Sequence, residues 1–207
     1  HFQVSEIALG EPGSPFRGLG GAGGRGAAGA SEYARTLDLD AAVHEVRYAR
    51  DGIAYRRVCF ASQPAGVLAL RLTADRKGAH TGRIVLRDAH QAKIVAEGGR
   101  ITAAGSLGGP AYADGSTAGR KKPYDIALDY EAQVLVLHEG GSLKADGDRI
   151  AFADCDSLTV LLAAGTDYLN RRDRGWKGDP PRGRIAAQLA AASARPFDEL
   201  LVEHVRD

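Results

Sequence analysis

Asp154 and Asp156 in Ala-Asp-Cys-Asp-Ser are the nearest the chain comes to a catalytic pair. Two carboxyl groups flanking a glycosidic bond can protonate the leaving oxygen and activate water. A D-x-D can also hold a cation. The same spacing between two strand-like runs serves a turn, where aspartate accepts local backbone hydrogen bonds, and that is the reading adopted. Asp38 and Asp40 in Leu-Asp-Leu-Asp alternate onto one face and are read as caps or solvent-facing groups. The histidines, His1, His44, His80, His90, His138 and His204, form neither H-x-H nor H-E-x-x-H, so a zinc site has no motif. His80 and His90 bracket a strand and could meet in space, but satisfied or exposed rings are the default. No G-x-S-x-G occurs, and neither Cys59 nor Cys155 has an adjacent base in sequence. Both cysteines read as buried thiols, with a single bridge left open for an exported chain. Gly-Leu-Gly-Gly-Ala-Gly-Gly has phosphate-loop spacing, but no buried strand leads into it, no amphipathic helix follows, and GK[ST] is absent. No catalytic residue, metal ligand or cofactor is therefore assigned. Trp176, in the polar loop Gly-Trp-Lys-Gly-Asp-Pro-Pro, is the one candidate for carbohydrate binding, since sugar CH groups pack on an aromatic face. The alternative is that its indole anchors the following segment against the fold or against a further domain.

The chain has 207 residues, 44% hydrophobic and 26% charged, with a formal charge of +1. That length supports one large domain, or a domain with an appendage. The balanced charge gives no case for nucleic acid or an anionic membrane surface, because both require clustered Lys and Arg. The short run Arg120 to Lys122 sits among Gly, Ser and Pro and reads as a solvated loop. No apolar run approaches the roughly 20 residues of a membrane span, and no signal peptide is visible. The chain begins at His1 and contains no Met, which is expected of a processed chain or an excised piece.

Residues 11 to 30 are dominated by glycine and read as a loop or disordered insertion after one extended run, Phe-Gln-Val-Ser-Glu-Ile-Ala-Leu. From residue 41 a period of two takes over. Strands are expected on both sides of Asp51-Gly52, whose residues tolerate the positive φ of a tight turn. Residues 67 to 75 form a half-buried strand with Leu68, Leu70 and Leu72 inward and Ala69, Arg71 and Thr73 outward. Further strands are expected at 82 to 89, in hairpins around Gly98-Gly99 and Gly147, at 126 to 139 and at 157 to 168, with a polar loop from 108 to 124. Strand after strand with turn chemistry every ten or so residues is the pattern of an antiparallel β-sandwich. Residues 181 to 194 and 196 to 207 are helical, each with Pro near its first turn, and the second helix has no stop signal before Asp207.

Three stretches in this order resemble the N-terminal domain of glycoside hydrolase family 95, the α-L-fucosidases. They are YARTLDLDAAVHEVRYARDGIAYRRVCFASQPAGVLALRLTAD, YEAQVLVLHEGGSLKADGDRIAFADCDSLTVLLAAGTDY and WKGDPPRGRIAAQLAAASARPFDELLVEHVRD. The resemblance implies a mainly β, supersandwich-like domain over 1–175 and a helical linker over 176–207, leading to an (α/α)6 catalytic domain of the same polypeptide. It implies a whole enzyme that hydrolyses terminal α-L-fucosyl linkages of fucosylated glycans with inversion, in the periplasm or outside the cell. Its catalytic Glu, Asn and Asp would lie in the barrel, and no residue here matches them. On this reading the chain alone is inactive. The alternative is a stand-alone carbohydrate-binding module.

Overall fold

The computed structural model describes the backbone of residues 2–9 and, in full, residues 30–107 and 128–207. The glycine-rich loop, the Gly-Leu-Gly-Gly motif, the 108 to 124 loop with its Arg-Lys-Lys run, and His1 lie outside the described residues. The strands are β1 (Phe2–Leu9), β2 (Ala30–Asp38), β3 (Val43–Arg50), β4 (Ile53–Ser62), β5 (Val67–Ala74), β6 (His80–Asp88), β7 (Lys93–Glu97), β8 (Arg100–Ser106), β9 (Asp129–Glu139), β10 (Ser142–Asp146), β11 (Arg149–Cys155) and β12 (Ser157–Thr166). Helices α1 (Arg182–Ser193) and α2 (Phe197–Arg206) follow. No helix among the described residues is long and apolar enough to cross a membrane.

The chain is a mainly antiparallel β-sandwich. An eight-stranded sheet runs β2-β3-β4-β5-β12-β9-β8-β7, and a four-stranded sheet runs β1-β6-β11-β10. The turns form where their residues demand. Asp51 and Gly52 sit at φ +52° and +72°, which matches the right-handed twist of β3 and β4. Between the sheets lies the main core: Leu72, Ile84, Leu86, Ile101, Val134, Ile150, Phe152 and Leu158, none more than 2% exposed. Cys155 is buried with them, while Cys59 on β4 is partly buried. Both are free thiols, and burial pushes both upward in pKa.

The helices change what the large sheet must bury. Ile185, Leu189 and Ala192 of α1 and Leu200 of α2 pack on Phe60, Val67, Ala69, Leu161 and Ala163. The architecture is thus small sheet, large sheet, helices, with two apolar cores. This corrects the expected half-buried strand at 67 to 75. Ala69, expected to face outward, is 0% exposed beneath the helices, whereas Leu68, expected inward, is 38% exposed. Leu72 and Leu70 do face the inner core. The small side chains of Ala69, Ala163 and Ala192 let a helix approach the strands closely. The segment 30 to 38, not foreseen as a strand from its own residues, pairs with β3 while β2 stays exposed along nearly its whole length. A strand that buries neither face carries no alternation of burial in its sequence.

Candidate functional site

The aspartate pair does structural work. Asp154 lies on β11, next to its last residue and just ahead of the turn to β12, at φ +54°, and its N–H donates to Thr81 Oγ1 at 3.0 Å. Asp156 Oδ1 accepts the Gly78 N–H at 2.7 Å, tying the β5–β6 connection to this turn. Asp38 Oδ1 accepts the N–H groups of Asp40 and Ala41, each at 3.0 Å, as a cap of the β2–β3 turn. Asp40 is exposed. Among the described residues no group of three or more His, Cys, Asp or Glu could hold a metal ion.

The described histidines also form no cluster. His80 and His90 lie at opposite ends of β6 and do not meet: His80 packs edge-on against Tyr55 at 5.7 Å, and His90 against Tyr130 at 6.1 Å. His44 Nε2 accepts from Arg35 Nε at 3.0 Å, His138 Nδ1 lies 2.7 Å from Gly140 O, and His204 stacks on Phe60 at 4.8 Å. His80 is 1% exposed, and neither ring nitrogen has a hydrogen-bond partner among the described residues. Burial, reinforced by the Arg57 guanidinium, holds its pKa below the ordinary histidine value. The folded state therefore keeps His80 neutral where the unfolded chain takes up a proton. Stability is expected to fall as pH drops through about 6.5, the unfolded value, with a slope of at most about 1.4 kcal/mol per pH unit from this group. Urea titrations of wild type and His80→Gln between about pH 7 and pH 5 check this: the variant should show the shallower slope in that window.

Trp176 is positioned by a compact loop after β12. Asp167 caps the large sheet: its N–H donates to Asp129 O at 3.0 Å and its Oδ1 accepts the Asp129 N–H at 2.9 Å. Lys177 Nζ lies 3.2 Å from both Asp129 Oδ2 and Asp167 Oδ2. The Asp129 carboxyl is held below its ordinary range by the Ser106 hydroxyl and by Lys177, and the two carboxylates raise the Lys177 amine. Tyr168 and Lys177 form an isolated antiparallel bridge. Between them the chain makes a short 3-10 turn, Arg172–Arg174, closed by Gly175 at φ +59°. The Leu169 N–H donates to Trp176 O at 2.9 Å and the Trp176 N–H to Arg171 O at 3.0 Å. Arg171 grips Asp173 through two hydrogen bonds, at 2.8 and 2.6 Å.

The resulting geometry is an anchored loop with exposed aromatic side chains: Trp176 is 46% exposed and Tyr168 56%. Sequence patterning pointed to Trp176 and missed Tyr168 and the clamp of Asp129, Asp167 and Lys177. Asp129 and Lys177 lie 48 positions apart, so no local signal joins them.

Residues 22–171 match the family model described as "Glycosyl hydrolase family 65, N-terminal domain". The chain belongs to this family. The matched residues take in β2 to β12, leave out β1, and end within the first half of the Trp176 loop. The resemblance read from sequence chose family 95, and the match gives that finer choice no support. The stretches that carried it are strand, turn and helix-start chemistry, which specifies an architecture and not a substrate. The match is likewise to a hydrolase-family domain and lends nothing to a stand-alone binding module. Among solved structures, a human-microbiome protein named a kojibiose phosphorylase aligns with a TM-score of 0.48 at 11% identity, over 86% of this chain and 24% of that one. This chain therefore spans about a quarter of that protein's length. A search of curated proteins returned no match.

Proposed function

We propose that this chain is the non-catalytic N-terminal β-sandwich of a glycoside-bond-cleaving enzyme, and that it supports an (α/α)6 catalytic domain of the same polypeptide. The family 65 match carries this reading. Residues 1–175 would be the sandwich, and residues 176–207 both its third layer and the link onward. Two surface features support the docking of a further domain. Val202 and Val205 of α2 are 48% and 49% exposed although the same helix buries Leu200. Leu39, in the β2–β3 turn, is 81% exposed, and the His204 ring brings α2 beside that turn, with Nε2 3.3 Å from Ala42 O. Apolar side chains on neighbouring elements mark an interaction face. Cleavage of α-L-fucosyl linkages is what the sequence resemblance implies for the whole enzyme.

The purified 207-residue chain is expected to release no sugar from α-glucosides or α-L-fucosides, by water or by phosphate. The polypeptide encoded by the parent gene is expected to cleave one of them, and to lose that activity on removal of these residues. Turnover by the isolated chain that disappears on substitution of one of its own carboxylates, such as Asp154→Asn, would overturn the proposal.

A further inference from the structure

We infer that the loop from Tyr168 to Lys177 is a saccharide-contact site, with the indole of Trp176 as the surface on which a pyranose ring stacks. The inference rests on the family reading and names a part of the sandwich that meets carbohydrate.

The backbone is the first observation. Trp176 sits at φ +65°. The other non-glycine residues of positive φ among those described are Glu32, Ala42, Asp51, Gln91 and Asp154. Aspartate visits that region with little penalty, and alanine, glutamine and glutamate are small or unbranched at the contact. A bulky aromatic there is a true outlier, retained against a steric cost that glycine would remove. The indole stays half exposed, and none of the ring pairs among the described residues includes it.

Rigidity is the second. The loop is pinned at both ends by the Asp129–Asp167–Lys177 clamp and braced inside by the Trp176 and Leu169 backbone hydrogen bonds. An exposed aromatic on a rigid backbone binds without an ordering cost, which suits a weak, repeated contact such as a sugar ring.

The chemistry around the indole is the third. A pyranose presents CH groups on one face and hydroxyls around its rim. The indole face takes the first. The Arg171–Asp173 pair, planar and exposed, and the Tyr168 and Asn170 side chains supply donors and acceptors for the second. Along the loop, arginine, aspartate and asparagine stand beside Tyr168 and Trp176, so polar groups accompany the aromatic surface.

Trp176 is the chain's single tryptophan, so its emission reports this site alone. The 207-residue chain is titrated with methyl α-D-glucopyranoside, maltose, kojibiose and methyl α-L-fucopyranoside to tens of millimolar. Expected is a saturable change in emission with at least one of them. Saturation-transfer NMR should place that sugar's ring protons against aromatic protons. The same titration by NMR with Trp176→Ala should weaken binding by about tenfold or more, and Trp176→Tyr should restore part of it. Trp176→Gly should fold with undiminished thermal stability, which a packing role for the indole would not allow. Unchanged emission with all four sugars overturns the inference, as does binding that survives Trp176→Ala. If sugars fail here while removal of residues 1–207 still abolishes the parent enzyme's activity, the inference falls and the family reading stands.

Discussion

Replacing Gly141 by alanine is expected to destabilise the sandwich more than any other single methyl addition at the β9–β10 connection. Gly141 follows Gly140, and both have positive φ, +59° and +63°. A side chain at Gly141 is penalised twice. Its backbone region costs a non-glycine residue about 1–3 kcal/mol. Its Cβ would also strike the neighbouring backbone, 2.5 Å from Asp154 C and 2.6 Å from Asp154 O, and closer still to Ala153 O. These atoms are β11 backbone just ahead of the turn that Asp156 fastens to Gly78, so they cannot yield without disturbing the β5–β6 connection as well. Against a typical domain stability of about 5–15 kcal/mol, a loss of about 3 kcal/mol or more should lower the urea midpoint visibly. Gly52→Ala is the control: that residue shares positive φ but its Cβ would meet nothing within 4 Å. Equal losses for the two variants would show that only φ matters and that the two turns are not in contact.

Leu189→Ala tests the helical layer. Leu189 is 0% exposed and lies in the second core, with Ile185, Leu200, Phe60 and Leu161 around it. Removing a buried leucine side chain in such a setting costs about 2–5 kcal/mol, the spread reflecting how far the site collapses. The expected result is a loss in that range with a single cooperative transition seen by far-ultraviolet circular dichroism and tyrosine fluorescence together. If α1 and α2 were only a tether, the loss would be under about 1 kcal/mol and the helical signal would melt ahead of the sheets.

The sandwich was legible in the sequence because its causes are local. Alternation in 43 to 62, the Asp51-Gly52 turn and the glycines at 98 and 147 each dictate strand or hairpin within a few residues. The prolines at 181 and 196 likewise open the two helices. Asp38, read as a cap, is legible for the same reason, since it bonds residues two and three positions on, whereas Asp154 falls on β11 and Asp156 bonds Gly78 across the fold. Less legible was the outer face of the large sheet. Ala69 looks like an indifferent outward residue until the helices are laid upon it, and Leu68 looks like a core residue yet is 38% exposed. The family was legible only to the level of an N-terminal sandwich, because recurring strand and turn motifs say how a chain folds and not which sugar its enzyme handles.

By itself the sequence determined the strands other than β2, the turns and the helix starts, since each follows from side-chain period or from the backbone freedom of a few residues. It also singled out Trp176 by composition, as the only indole in a polar loop. Tertiary structure alone decided that the helices form a third layer, that His80 is sealed between strands far apart in the chain, and that Asp129, Asp167 and Lys177 converge to hold the Trp176 loop rigid. Those are contacts across long sequence separation, set by which faces must be buried at once, and no window of neighbouring residues contains them.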